Sequence, residues 1–146
     1  MSIVEKIIII TISTMLFAQI LKFIIHSLIK RTIDEGILVS TGGMPSSHSA
    51  LVTSLVCSIY IYDGVGYPFV ISLILALVVI HDSFGVRYEA SKHAKDINIV
   101  KAKLNLIDNI ETEEKKLKES LGHKPIEVIA GIVLGVIMAI IGNQVL

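Results

Sequence analysis

The chain has little of the residue types on which several protein classes depend. Among its 146 residues there is one cysteine, Cys57, and no tryptophan. A single cysteine excludes an internal disulfide framework and a cysteine metal cluster. Aromatic residues make up 5% of the chain, the formal net charge is zero, and acids interleave with bases. This composition excludes the basic, aromatic surfaces of nucleic-acid-binding proteins, so we expect no nucleic-acid partner.

Apolar residues, in contrast, are abundant. The mean hydropathy is +0.75, far above that of a soluble globular protein. Residues 7–29 and 126–145 are apolar over the roughly 20 residues needed to cross a bilayer. Residues 49–62 and 67–80 are also apolar but shorter. The sequence therefore predicts an all-α, polytopic helical membrane protein.

We predict a single transmembrane domain over residues 1–146, with an amphipathic, polar helical excursion at about residues 91–122. Its four transmembrane helices are expected at about residues 4–29, 46–63, 67–89 and 125–145. Four crossings place the end of the first span, the start of the second, the end of the third and the start of the fourth on one face. That face carries all thirteen Lys and Arg residues except Lys6 and Lys22. By the positive-inside rule we expect it to be the cytoplasmic face of the cell membrane.

A glycine-opened turn leads into the second span, with the sequence Gly42-Gly43-Met44-Pro45-Ser46-Ser47-His48-Ser49. Glycine and proline indicate that a helix begins here. A helix start offers unpaired backbone N–H groups and a partial positive charge, which favour phosphate. Ser46, Ser47 and His48 are therefore candidate residues of a phosphate site.

A second histidine, His123, precedes the fourth span by two residues, and Glu127 follows it by four. At this spacing the carboxylate could accept the ring N–H and hold the other ring nitrogen ready for attack. One histidine attacking phosphorus and another protonating the leaving oxygen would hydrolyse a phosphate ester. This chemistry requires no metal and no other cofactor. We therefore take His48, His123 and Glu127 as candidate catalytic residues.

Four charged residues are candidates for binding the phosphate: Lys22, Asp82, Arg87 and Lys124. An ionisable residue within a span usually faces the bundle interior, so Lys22 could reach a phosphate. Alternatively, it could snorkel to the interface. His26 shares a helical face with Lys22, and we expect it to be an interfacial histidine. Asp82 and Arg87 could reach a common pocket, or they could be charged residues at the interfacial end of a helix.

Two of these segments resemble a known superfamily. Gly43-Met44-Pro45-Ser46-Ser47-His48-Ser49 resembles the P-S-G-H motif of the type 2 phosphatidic acid phosphatase superfamily, which includes lipid phosphatases and vanadium haloperoxidases. Gly122-His123-Lys124-Pro125-Ile126-Glu127-Val128-Ile129-Ala130-Gly131 resembles its G-x-H-x-x-x-D-V-x-x-G segment. Together with Asp82-Ser83-Phe84-Gly85-Val86-Arg87, they resemble its small divergent branch of membrane proteins. The resemblance implies that His48 is the general acid, that His123 is the nucleophile, and that Glu127 orients His123.

The sequence departs from the superfamily pattern at four positions. Ser47 replaces a glycine and Glu127 replaces an aspartate. Ile29 and Leu117 stand where the resemblance implies arginines. The phosphate would then be held by the remaining basic candidates, which are Lys22, Arg87 and Lys124.

Three functions are compatible with these observations. The first is metal-independent hydrolysis of a lipid phosphate or pyrophosphate through a phosphohistidine intermediate. The second is a non-catalytic lipid-phosphate-binding or membrane structural protein that retains the phosphatase-like fold, which the missing arginines favour. The third is a metal site, although no H-x-x-x-H or similar ligand spacing is present. Its ligands would come from His48, His81, Asp82, His123 and Glu127.

The last span carries a stripe of small residues, Gly131, Gly135 and Ala139. Such a stripe permits close contact between two helices. The partner helix could belong to the same chain or to a second copy, so the stripe also makes a homodimer possible.

Overall fold

The computed structural model describes residues 1–30, 42–108, 117, 119 and 122–146. Over these residues it consists of five α-helices: α1 (Ile3–Lys30), α2 (Ser47–Asp63), α3 (Tyr67–Phe84), α4 (Val86–Asp108) and α5 (Pro125–Val145). The all-α class predicted from the sequence is confirmed.

Three helical stretches are long and apolar enough to span a membrane: Ile3–Ile29, Tyr67–Leu104 and Pro125–Val145. The second stretch comprises α3 and most of α4, and α3 is its apolar part. Many of their large apolar side chains are exposed on the outside of the bundle, as lipid contact requires. The remaining predicted span corresponds to α2, which has 17 residues. Its length of about 26 Å falls short of the roughly 30 Å hydrocarbon core. The chain is thus a helical membrane protein in which one helix is short.

The short helix α2 lies at the centre of the bundle and packs against α1, α3 and α5. Its buried residues are mostly serine and alanine: Ser47, Ser49, Ala50, Val52, Ser54 and Ser58. Small side chains let helix backbones approach closely, which is how helices associate in a membrane. α2 therefore serves as the core around which α1, α3 and α5 are arranged.

The small-residue stripe of α5 packs against α2 of the same chain. A Cβ atom on Gly131 would overlap the carbonyl oxygen of Ser46, and one on Gly135 would lie 2.7 Å from the carbonyl oxygen of Ala50. Ala139 is fully buried. A homodimer stays a prediction, and it would have to use a surface other than this stripe.

A single residue, Gly85, separates α3 from α4. The third span was expected to continue to about residue 89, but Gly85 has φ −92° and ψ −92°, outside the helical region. Glycine adopts such angles at little cost, so α3 ends at Phe84. The predicted polar helical excursion corresponds to α4, which begins directly after Gly85, at Val86 rather than at about residue 91. Residues 109–116, 118, 120 and 121 of the predicted excursion lie outside the described residues.

Candidate active site

Four of the candidate residues line a single cavity of about 250 Å³, here called the histidine cavity. They are His48, Asp82, Arg87 and His123. The cavity lies where the starts of α2 and α5 meet the end of α3. Its volume corresponds to several water molecules at roughly 30 Å³ each.

Main-chain hydrogen bonds hold these three helix ends together. The Ser46 N–H donates to the Glu127 carbonyl oxygen at 2.9 Å, which joins the turn before α2 to the first turn of α5. The His123 N–H donates to the Ser83 carbonyl oxygen at 3.1 Å, which joins the segment before α5 to the last turn of α3. Backbone atoms therefore fix the spacing of the two histidines.

The His123 side chain is held by Glu127. The imidazole is buried, and its Nδ1 lies 3.1 Å from Oε2 of Glu127. The backbone N–H of Lys124 donates to the same oxygen at 3.1 Å, so the carboxylate also caps the first turn of α5. When Nδ1 carries the ring proton and donates it to the carboxylate, Nε2 is left with its lone pair.

The second ring nitrogen of His123 is unpaired within the described part of the chain. Its Nε2 atom is buried and has no hydrogen-bond partner among the described residues. Because buried polar atoms are nearly always paired, such an atom calls for an explanation. Since the ring lines the histidine cavity, a group bound there is the natural partner of Nε2.

His48 lies at the second position of α2 and contributes another wall of the cavity. Ser46 is the N-cap of α2, where its Oγ accepts hydrogen bonds from the Ser49 N–H at 3.3 Å and the Ser49 hydroxyl at 3.0 Å. Ser46 and Ser47 are both buried, and neither lines the histidine cavity. The structure thus places these two serines in the helix start that supports His48.

Asp82 and Arg87 form an ion pair across the Gly85 break. The Arg87 Nε donates to Asp82 Oδ2 at 2.5 Å, and both side chains are about half exposed. Within the described part of the chain, Arg87 is the one lysine or arginine that lines the histidine cavity. Binding through Nε leaves the two terminal amino groups of the guanidinium in a geometry that suits two phosphate oxygens.

The other two basic candidates, Lys22 and Lys124, lie elsewhere. They line a second cavity of about 400 Å³, here called the lysine cavity, whose lining includes Glu127 but shares no residue with the histidine cavity. Lys22 is 1% exposed, so it does not snorkel. Its stem packs against Gly43, where φ is +100° and a Cβ atom would lie 3.3 Å from Lys22 Cγ and Cδ. The structure therefore separates Lys22 and Lys124 from the histidine cavity.

Sequence reasoning missed three further residues of the site. Val78 and Val79 line the histidine cavity, and Ser83 lines it while its carbonyl accepts the His123 N–H. Helical spacing could have found them, because Val78 and Asp82, like Val79 and Ser83, are four residues apart on α3.

The hypothesis of a metal site finds no support in the described part of the chain. The described residues contain no group of three or more His, Cys, Asp or Glu side chains placed to hold a metal ion.

Comparisons with known proteins agree with this architecture. The sequence pattern of the Divergent PAP2 family matches residues 3–138. The chain is also 36% identical over 141 residues to YuiD of Bacillus subtilis (strain 168), an uncharacterized membrane protein. That match covers 90% of this chain and 89% of YuiD. No solved structure matches the chain.

Proposed function

Because the chain belongs to the Divergent PAP2 family, we propose that it is a membrane-embedded phosphatase that acts on a lipid phosphate or pyrophosphate. One observation carries the proposal. His123 is anchored through Nδ1 by Glu127, while its Nε2 has no partner among the described residues, and the ring lines the same cavity as His48 and Arg87. This arrangement suits a histidine nucleophile with a second histidine as acid.

The proposed reaction has two steps. In the first, the Nε2 lone pair of His123 forms a bond to phosphorus as the bond from phosphorus to the leaving oxygen breaks, and protonated His48 gives that oxygen a proton. In the second, water attacks phosphorus and gives a proton to His48, the N–P bond breaks, and phosphate leaves. Glu127 stabilises the positive charge that develops on the His123 ring. Arg87 offsets the negative charge on the phosphoryl oxygens.

The position of the histidine cavity supports a lipid substrate. The cavity lies at the ends of membrane-spanning helices, beside the polar helix α4 that carries many of the basic residues. We propose that this level corresponds to the headgroups of the cytoplasmic leaflet, following the positive-inside rule. A phosphate carried on a lipid would then reach His123 without leaving the membrane.

The test is release of inorganic phosphate by the full-length chain in neutral detergent. The substrates are phosphatidic acid, phosphatidylglycerophosphate and polyprenyl pyrophosphate, each with and without a chelator. We expect turnover of one of them that survives chelation, together with an acid-labile phosphoprotein. Absence of both phosphate release and the phosphoprotein for all three substrates would overturn the proposal.

A non-catalytic lipid-phosphate binder is the second candidate, and one observation favours it. Leu117, which stands where the resemblance implies an arginine, has its N–H and carbonyl bonded to the Asn98 side chain of α4, each at 2.9 Å. Among the described residues that line the histidine cavity, Arg87 is then the one lysine or arginine that can bind the phosphate. Vanadate, which mimics five-coordinate phosphorus, discriminates between the two candidates. If His123 is a nucleophile, it should bond to vanadium in the five-coordinate form, and His123→Ala should abolish vanadate binding. A non-catalytic binder would hold tetrahedral vanadate through Arg87 and should keep its affinity in that variant.

We expect Arg87→Gln to weaken vanadate binding by about 10- to 100-fold. This range corresponds to the loss of about 1.5–3 kcal/mol from hydrogen bonds to a charged group. The measurement is an inhibition constant, or a dissociation constant in the absence of turnover. The matched control is Lys92→Gln, since Lys92 is an exposed residue of α4 that pairs with Glu89 at 2.7 Å, outside the cavity lining. Equal vanadate affinity in wild type and Arg87→Gln would remove Arg87 from the phosphate site.

We expect Glu127→Gln to lower kcat by about 10²- to 10⁴-fold, because the amide cannot stabilise the charge that develops on His123. KM should change little, since Glu127 does not line the histidine cavity. Glu127→Asp restores the carboxylate of the superfamily motif and should recover part of the activity. The measurement is steady-state phosphate release as a function of pH. A kcat within threefold of wild type for Glu127→Gln would show that the carboxylate has no part in the reaction.

A further inference from the structure

The lysine cavity has no role in the proposed reaction. It lies between the end of α1, the turn before α2 and the start of α5. Three basic side chains line it, Lys22, His26 and Lys124, together with the carboxylate Glu127. Glu127 is already engaged by Nδ1 of His123 and the N–H of Lys124. Among the described residues, the lining thus holds more basic groups than carboxylates, and this balance favours an anion in the cavity.

Two of these groups carry polar atoms that are costly to bury. The Lys22 side chain is almost wholly buried within a membrane-spanning helix, and it lies close enough to Glu127 for their charges to interact. A charge inside a span is expensive and usually marks a functional site. His26 also has a buried Nδ1 with no hydrogen-bond partner among the described residues. An anion in the cavity would accept a hydrogen bond from this nitrogen and add negative charge beside Lys22.

The rest of the cavity lining is apolar, and three of its residues are exposed. Ile29 is 74% exposed at the end of α1, and Ile126 is 61% exposed at the start of α5. Met44 in the turn before α2 is also exposed. Because α1 and α5 both span the membrane, these side chains stand where acyl chains meet headgroups. A basic pocket between transmembrane helices at this level is a typical headgroup site.

We propose that the lysine cavity binds the phosphate group of an anionic phospholipid. The phosphate oxygens accept hydrogen bonds from Lys22, Lys124 and His26, while the acyl chains lie along Ile29 and Ile126. The bound lipid is a ligand that is not consumed, because the nucleophile His123 belongs to the other cavity. The site does not depend on the proposed phosphatase activity, since its evidence is a separate set of residues.

The test is equilibrium binding to the full-length chain in neutral detergent, followed by calorimetry. The probes are short-chain phosphatidylglycerol, short-chain phosphatidylcholine and inorganic phosphate. We expect saturable binding of phosphatidylglycerol, at least about tenfold weaker binding of phosphatidylcholine, which has no net charge, and at least about tenfold weaker binding of inorganic phosphate, which has no acyl chains. Binding of inorganic phosphate as tightly as phosphatidylglycerol would indicate a free-phosphate site and overturn the lipid assignment.

Variants assign the binding to the lysine cavity. The double variant His26→Gln/Lys124→Gln keeps Lys22 and its packing, and it should weaken phosphatidylglycerol binding by about tenfold or more through the loss of two charge-assisted hydrogen bonds. Its thermal melt shows whether the fold is retained. Lys95→Gln removes one exposed charge from α4 and should bind phosphatidylglycerol as wild type does. Phosphatidylglycerol binding that is equal in wild type and the folded double variant would overturn the proposal, as would equal affinity for the two lipids.

Discussion

Replacing His123 with alanine is expected to abolish phosphate release, with kcat falling by at least about 10³-fold. The reason is that the variant lacks the only atom proposed to attack phosphorus, Nε2, and no other nucleophile is proposed for the cavity. The acid-labile phosphoprotein should disappear together with turnover. His123→Ala also leaves Glu127 without its imidazole partner, so the thermal melt of the variant must be recorded beside its activity.

The matched control for this experiment is His93→Ala. Arg87 stands six residues before His93, the same spacing by which Leu117 precedes His123, yet His93 is exposed on α4 and does not line the histidine cavity. We expect wild-type activity from His93→Ala. Retained turnover in a folded His123→Ala variant would remove the nucleophile assignment. Loss of turnover in His93→Ala with retention in His123→Ala would transfer the assignment to His93.

The convergence of His48 and His123 could be predicted from topology alone. Each histidine lies within two residues of the first residue of a helix, and an antiparallel arrangement of successive spans brings those two helix starts to the same membrane face. Hydropathy predicts four spans, and the end of the third predicted span places Asp82 and Arg87 at this level. The structure brings all four residues to one cavity.

The rotation of each helix about its own axis could not be predicted. α1 and α5 are apolar on almost every face, so their patterns do not indicate which side meets α2. For this reason the sequence could not separate Lys22 and Lys124 from the residues of the histidine cavity. The role of Ser46 was missed for a related reason: a hydroxyl at a helix start serves equally as a cap or as a phosphate ligand, and only geometry decides between them.

The sequence also could not decide which helix packs against the small-residue stripe of α5. The structure shows that this helix is α2 together with the turn before it, and a second large effect is expected from a substitution in this contact. Gly131 packs directly on the turn that carries the Ser46 N–H bond to Glu127. We expect Gly131→Val to destabilise the protein by about 2–4 kcal/mol, because its Cβ atom would overlap the Ser46 carbonyl oxygen and lie 3.0 Å from Ser49 Cβ. The measurements are the melting temperature in detergent and phosphate release.

The matched control is Gly142→Val on the same helix. There a Cβ atom would meet only the side chain of Ile10, with Cγ1 at 2.6 Å, whereas on Gly131 it would meet the backbone of the turn before α2. The buried, β-branched Ile10 must shift to make room, which costs some stability but leaves the hydrogen-bonded turn in place. We therefore expect Gly142→Val to melt closer to wild type than Gly131→Val does and to keep more activity. If the two variants melted alike, the contact between α5 and the turn before α2 would not determine the stability of the bundle. Because that contact also sets the spacing of His48 and His123, activity should fall with stability in Gly131→Val and not in Gly142→Val.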